Sequence, residues 1–236
     1  MTTTALITGA NKGIGYEIAR QLSERGITAI IGSRDEERGR AAAEKLGQPF
    51  VQIDVTDPDS VQAAAKWIER EYGQLDILVN NAGVTVSPEE GLPSRSSLDS
   101  LRHVYETNVF GVVTVTNAML PLLRRAPAAR IVNQSSELGS KTHVLIEDSP
   151  IWPLNNMPYN SSKSALNMIT VAYAKELWGT PIKVNATDPG WCATDITAGA
   201  GYRTAEQGAG IAVRLATLDS DGPTGAFFKD EGPLPW

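Results

Sequence analysis

The sequence predicts an α/β fold: a doubly wound, parallel, seven-stranded sheet with helices on both faces. Three observations carry this. Short apolar runs alternate with amphipathic stretches along most of the 236 residues, a pattern that calls for right-handed crossovers and a parallel sheet. The first run, Ala5-Leu6-Ile7-Thr8, passes through a glycine-rich turn straight into a helix-period face. A serine, Ser136, stands at the end of a later run, where open α/β sheets bind their ligands.

In chain order, residues 5–8 read as a buried strand. Gly9-Ala10-Asn11-Lys12-Gly13-Ile14-Gly15 follows, and Ile14, Ile18, Ala19 and Leu22 form the inner face of a helix. Strand, glycine turn and helix are the parts of a dinucleotide site: glycines let the backbone approach a pyrophosphate, and the helix N-terminus offers N–H donors. The spacing is G-x-x-x-G-x-G, wider than the common G-x-G-x-x-G. Residues 27–32 are the second strand, whose end reaches the adenosine ribose in such a site. No acid stands at Gly32 or Ser33 to take a 2′-hydroxyl. Ser33, Arg34 and the loop's Lys12 suit a 2′-phosphate instead, so the reading is NADP rather than NAD.

Residues 36–46 form a polar, alanine-rich helix, and residues 50–53 a third strand closed by Asp54-Val55. Asp57-Pro58 starts a helix with Asp as N-cap and Pro at its first position; Val61, Ala64, Ile68 and Tyr72 face inward. Residues 76–79 are the fourth strand, ending in Asn80-Asn81-Ala82-Gly83, and residues 98–123 read as one long helix containing Asn108. Residues 129–133 are the fifth strand, running into Gln134-Ser135-Ser136. Residues 137–157 read as an active-site loop. The next helix opens at Pro158-Tyr159-Asn160-Ser161-Ser162-Lys163 and runs to about residue 178, with Pro158 at its first position. Residues 182–186 are the sixth strand, followed by Asp188-Pro189-Gly190-Trp191. Gly199 and Gly201 mark residues 191–204 as a lid, Thr204-Ala205-Glu206-Gln207 is a capping-box start to the last helix, and residues 226–228 are the seventh strand. The tail from 230 to 236, with two prolines, reads as irregular. All of residues 1–236 fit one domain.

Tyr159 and Lys163 lie four apart, one turn from each other on a single helix face. A free phenol near pKa 10 is a poor acid–base group at neutral pH, and an ammonium group beside it lowers that value. The pair can then pass a proton to or from a substrate oxygen. Other chemistries lack support. Net charge is −6, from 27 acids and 21 bases, and no basic block stands out, which argues against nucleic acid and anionic membranes as partners. The one cysteine, Cys192, allows no intrachain disulfide and fits a cytoplasmic protein. Neither a signal peptide nor an apolar stretch of about 18 residues is visible. His103 and His143 are far apart with no cysteine nearby, so no metal site is expected. A serine hydrolase built on Ser136 would need a histidine base and a G-x-S-x-G turn, which the sequence does not have.

Thr8-Gly9-x-x-x-Gly13-Ile14-Gly15, Asn80-Asn81-Ala82-Gly83, Ser136, Tyr159-x-x-x-Lys163 and Pro189-Gly190 stand in one order. This resembles the short-chain dehydrogenase/reductase family over essentially the whole chain, and with it a Rossmann-like sheet. Asn11 to Gly15, Ser33-Arg34-Asp35, Pro189-Gly190-Trp191 and Glu206-Gln207-Gly208-Ala209 resemble its NADPH-dependent carbonyl reductases. The stretch between Ser136 and Tyr159 departs from animal carbonyl reductases, which carry a longer helical insertion there. The resemblance implies reduction of an aldehyde, ketone or quinone, with Tyr159 as proton donor. Lys163 would hold the nicotinamide ribose and lower the Tyr159 pKa, Ser136 would bond the substrate oxygen, and Asn108 would hold a water in the relay. It also implies cofactor contacts from Gly9, Asn11, Lys12, Gly13, Ile14, Gly15, Ser33, Arg34, Asp54, Val55, Asn81, Ala82, Gly83, Tyr159, Lys163, Pro189, Gly190 and Thr194. Besides Ser136, the substrate wall is expected from Leu138, Trp152 and Trp191, with Val144 and Met157 nearby. That wall points to an aromatic or otherwise hydrophobic carbonyl compound, a small molecule. A homo-oligomer is compatible with the family. The alternatives are a non-catalytic NADP-binding sensor, which has little need of a Tyr–Lys pair, and an alcohol dehydrogenase working in the oxidative direction.

Overall fold

The computed structural model describes residues 2–236. Eight strands form one sheet in the order β3-β2-β1-β4-β5-β6-β7-β8. They are β1 (Thr4–Thr8), β2 (Thr28–Ser33), β3 (Phe50–Gln52), β4 (Ile77–Asn80), β5 (Arg130–Gln134), β6 (Lys183–Thr187), β7 (Phe227–Lys229) and β8 (Gly232–Pro233). The first seven pair in parallel. The eighth, two residues of the tail that reads as irregular, pairs antiparallel with β7. A two-residue strand carries no period-2 signal, and its proline sits on the sheet's edge, where a missing N–H costs no ladder bond. Trp236, stacked on Phe227 at 5.6 Å between ring centroids, holds this tail against the sheet.

Alternation along each strand sends neighbouring residues to opposite layers. Leu6, Ile30, Leu78 and Ile131 pack with helices α3 (Pro58–Tyr72), α6 (Gly111–Leu123) and α7 (Met157–Glu176). Ala5, Ile7, Ile31, Val79 and Val132 pack with α1 (Gly13–Ser23), α2 (Glu36–Leu46) and α8 (Ala205–Ala216). Because both faces are covered, the strands read as continuous apolar runs. The helix starts follow local chemistry: Asp35, Asp57 and Asn156 each accept a backbone N–H as N-cap, and Thr204 and Gln207 form a capping box. Pro158 is the second residue of α7 rather than the first, since Asn156 caps it and Met157 opens it. No helix among the described residues is long and apolar enough to cross a membrane.

The long helix expected over 98–123 is broken. Residues Leu98–Tyr105 are helical (α5, after the single turn α4 at Pro88–Gly91), residues Glu106–Phe110 make a π turn, and α6 then continues to Leu123. Asn108 lies inside that turn, completely buried. Such turns insert one extra residue per turn and are frequent at functional sites. Here it brings the Asn108 side chain to Val84, on the loop after β4, and to Ser162 on α7.

Strand order reverses at β1, whose neighbours β2 and β4 lead away to either side. The crevice beyond the carboxyl ends of β1 and β4 is the place where such sheets bind ligands. A buried polar network fixes the next strand ends. Asn80 Nδ2 donates to Asn133 Oδ1 at 2.9 Å and to Thr116 Oγ1 at 3.0 Å, and Asn133 Nδ2 donates to Thr170 Oγ1 at 2.9 Å. These bonds lock β4, β5, α6 and α7 together just below the loops that carry Asn81 and Ser136.

Candidate active site

The loop after β1 is shaped by two needs. Gly9 and Gly13 take left-handed backbone, φ +66° and +57°, which favours glycine. Gly15 has another reason: a Cβ there would stand 2.4 Å from Asn81 Nδ2 and 2.6 Å from the Gly9 carbonyl. The loop is therefore packed against the one after β4. Thr8 Oγ1 accepts the N–H groups of Asn81 and Ala82, both at 3.0 Å, and Asn81 Nδ2 donates to the Thr8 carbonyl at 2.9 Å. Helix α1 begins with no side-chain cap and no acid in its first turn. Its positive end and first N–H groups are left facing an open cleft of about 780 Å³.

Every residue expected at the cofactor, from Gly9 to Thr194, lies on the wall of that cleft. One end is basic. Ser33 and Arg34 stand there, joined by Arg38, which the reading of the sequence missed. The signal was available, since Arg38 follows Arg34 by four residues, in the first turn of α2. Arg38 pairs with Asp35 at 3.3 Å, and Lys12 pairs with Asp195 of the segment 191–204. Lys12 thus ties the glycine loop to that segment across the cleft.

At the other end lie Tyr159, Lys163, Gln134, Ser135, Pro189 and Gly190. Lys163 is 5 % exposed; its Nζ donates to the Gln134 carbonyl at 2.7 Å and lies 5.5 Å from the Tyr159 ring centroid. Burial pushes the Lys163 ammonium down to about 8, with the Asp188 charge working against the fall. Burial also pushes the Tyr159 phenol well above its ordinary value; the Asp188 charge adds to the rise and the Ser136 hydroxyl opposes it. Loss of water around the phenol is the largest cause of this rise, and it runs opposite to the lowering that the Tyr159–Lys163 spacing leads one to expect. Ser136 is 9 % exposed and accepts the Leu138 N–H at 3.2 Å.

Asn108 makes three side-chain bonds within the protein. Its Oδ1 accepts Val84 N–H at 2.8 Å, and its Nδ2 donates to Val84 O at 2.9 Å and Ser162 Oγ at 3.0 Å. Gly83 separates it from Lys163: a Cβ on Gly83 would be 3.5 Å from Asn108 Oδ1 and 3.8 Å from Lys163 Nζ. Two further polar groups went unnoticed in the sequence. The Gln134 side chain is buried, with neither Oε1 nor Nε2 hydrogen-bonded among the described residues. Asp188 is buried, and burial pushes its carboxyl up to about 6. Neither residue type is unusual at a strand end, so sequence alone offered no signal.

The expected substrate wall is not assembled in the same way. Leu138, Trp152, Trp191 and Ser136 are absent from the lining of the cleft. Trp191 is 46 % exposed and meets Tyr202 edge to face at 6.4 Å, while Trp152 is 47 % exposed on the loop 137–157. Segment 191–204 is folded back on itself: Ala193 N–H donates to Arg203 O at 2.9 Å, and Arg203 N–H to Trp191 O at 3.2 Å. No cluster of three His, Cys, Asp or Glu side chains among the described residues could hold a metal ion.

A family model for short chain dehydrogenases matches residues 3–204. Short-chain dehydrogenase anuI of Penicillium roqueforti (strain FM164) is 41 % identical, over 97 % of this chain and 94 % of that protein. Carbonyl reductase (NADPH) 1 of Mus musculus is 32 % identical, over 98 % of each. Its alignment spans 277 residues against the 236 of this chain, so the mouse protein carries residues that this one lacks. Among solved structures, salutaridine reductase from Papaver somniferum superposes with a TM-score of 0.81 at 31 % identity, over 97 % of this chain and 99 % of that one. With the sheet order, the glycine loop and the Tyr159–Lys163 pair in register, these matches place the chain in the short-chain dehydrogenase family, among the oxidoreductases and close to the carbonyl reductases.

Proposed function

We propose that the protein reduces a hydrophobic carbonyl compound to an alcohol with NADPH, and that Tyr159 donates the proton. The observation that supports this most is the placement of Tyr159 and Lys163. Both stand on the wall of the cleft that begins at the glycine loop, one turn apart, Lys163 buried and Tyr159 half-buried, with the Lys163 ammonium over the phenol ring. A sensor without turnover has no use for such a pair.

The fit of a dinucleotide rests on the site itself. The uncapped start of α1, the left-handed Gly9 and Gly13, and the close approach at Gly15 make a phosphate cradle. Arg34, Arg38 and Lys12 offer cations at the end where a 2′-phosphate would lie. Gln134, a residue of the cleft wall, keeps a buried side-chain amide without a hydrogen-bond partner among the described residues. The bound nicotinamide would supply the hydride. The chain's own work is then to place a carbonyl oxygen between Ser136 and Tyr159 and to deliver a proton. As the carbon–oxygen π bond breaks, the oxygen takes the Tyr159 proton. The phenolate left behind regains one through Lys163, whose Nζ and the Asn108 Oδ1 both lie beside Gly83. At neutral pH the Tyr159 phenol is protonated, the form that can donate to a carbonyl oxygen.

Exposed aromatic surface on the two loops supports the substrate class. Trp191 and Tyr202 on segment 191–204 and Trp152 on the loop 137–157 are exposed apolar groups. In this reading, segment 191–204 is a lid whose aromatic pair closes on the substrate, with Asp195 holding Lys12 from the same side.

Three outcomes follow from these assignments. Tyr159→Phe should bind NADPH as the unmutated protein does and lose at least about a hundredfold in turnover, the low end for removing a general acid. Near-normal turnover, followed at the NADPH absorbance, would sink the proton-donor role. For the cofactor, kcat/KM with NADPH should exceed that with NADH. A charge-assisted hydrogen bond is worth about 1.5–3 kcal/mol, so Arg34→Ala should cut the ratio roughly tenfold or more; equal efficiency with the two cofactors before mutation would refute the assignment. Lastly, Trp191→Ala should raise KM for a bulky aromatic ketone much more than for a small aliphatic aldehyde. An equal effect on both would move the substrate wall elsewhere.

A further inference from the structure

Asp188 follows β6 and is 4 % exposed. Its backbone N–H donates to Phe228 O at 2.8 Å, so its position is set by β7. One carboxylate oxygen accepts the Glu137 N–H at 3.0 Å, and the other accepts the Gly190 N–H at 3.1 Å. Glu137 is the residue after Ser136, and Gly190 lies on the wall of the cleft. One side chain therefore bridges the loops that leave adjacent strands β5 and β6. Each oxygen meets a donor, an arrangement that a carboxylate satisfies and a carboxamide does not, since its NH₂ would oppose one of the two N–H groups.

A buried carboxylate is costly unless its surroundings compensate. Two N–H bonds supply part of this. The charged and titratable groups around Asp188 come from four directions: Glu137 on the Ser136 loop, Lys229 on β7, Tyr159 and Lys163 on α7, and Cys192 on segment 191–204. Glu137 in turn faces His143 at 3.7 Å. On α7 the negative charge favours the protonated form of both Tyr159 and Lys163. It thus acts on both groups that the proposed reduction needs in protonated form.

We propose that Asp188 is a positioning residue whose carboxylate clamps the Ser136 loop to the Pro189–Gly190 turn and sets a negative charge behind the Tyr159–Lys163 pair. The inference rests on carbonyl reduction at Tyr159, and its test separates the two. In Asp188→Asn, kcat for reduction of an aromatic aldehyde should fall at least tenfold. The basic limb of the reductive pH profile should also move down by half a pH unit or more, because the ammonium of Lys163 loses a stabilising charge. Asp188→Ser, which keeps one small acceptor and removes the charge, should show the same shift and guards against an Asn variant that does not fold.

A second readout needs no turnover. The Asp188 carboxyl holds its proton more tightly folded, at about 6, than at its ordinary value of 3.8. The folded state then binds more protons between these values, and stability falls as pH rises through that window. The Tm of the unmutated protein, measured without cofactor, should therefore drop relative to either variant between pH 4 and pH 7. An unmoved basic limb, or a Tm difference that is constant with pH, would overturn the charge coupling. Unchanged kcat in both variants would overturn the clamp. If the unmutated protein reduces none of a panel of aldehydes, ketones and quinones, the functional reading fails instead, and the Tm comparison still decides whether Asp188 carries a buried charge.

Discussion

Two buried ionisable groups, Lys163 and Asp188, stand beside the half-buried phenol of Tyr159 at the carboxyl end of β5 and β6, and keeping the three there is the constraint that the rest of the structure serves. Removing a phenol, an ammonium and a carboxylate from water disfavours their charged forms. The protein compensates with backbone. The Gln134 carbonyl accepts from Lys163, and the N–H groups of Glu137 and Gly190 donate to Asp188. Those backbone groups are in place only because β5 and β6 pair in register from Arg130–Lys183 to Gln134–Thr187. The sheet thus supplies the solvation that burial takes away.

Helix α7 brings two of the three groups to this point, and its own start is pinned. Asn156 caps it and reaches back to Thr85 Oγ1 and the Val86 carbonyl on the loop after β4. The π turn at Glu106–Phe110 adds a second tie from Asn108 to Ser162 and Val84. Both ties converge on the loop that also carries Asn81 and Gly83. A displacement of that loop would disturb the glycine cradle and the Tyr159–Lys163 pair together, so cofactor binding and proton transfer share one support.

Much of this was legible in the sequence. The apolar runs marked the seven parallel strands, because strands buried on both faces leave continuous hydrophobic stretches. The glycine loop and Tyr159-x-x-x-Lys163 were legible because each needs particular residue types at fixed spacing. Other features depend on what surrounds a residue. Nothing in Thr107-Asn108-Val109 announces a π turn, which is visible only where Asn108 bonds Val84 and Ser162. The strand at Gly232–Pro233 is too short for a period. The effect of burial on Tyr159 is not legible from spacing, because a pair of residues four apart says nothing of the water excluded around them. Asp188 next to Pro189 reads as a turn residue until both of its oxygens are seen to bridge two loops. Arg38 could have been found by extending the basic set into the first turn of α2.

The central claim is that the protons of this group govern reduction, with Lys163 held near 8 and Tyr159 above its ordinary value. The most direct measurement is the single-turnover rate of NADPH oxidation by an aromatic aldehyde from pH 6 to pH 10. A rate level at low pH that falls as pH rises through about 8, where Lys163 loses its proton, is the result this account requires. A rate that is flat across the range, or that climbs with pH, would contradict it.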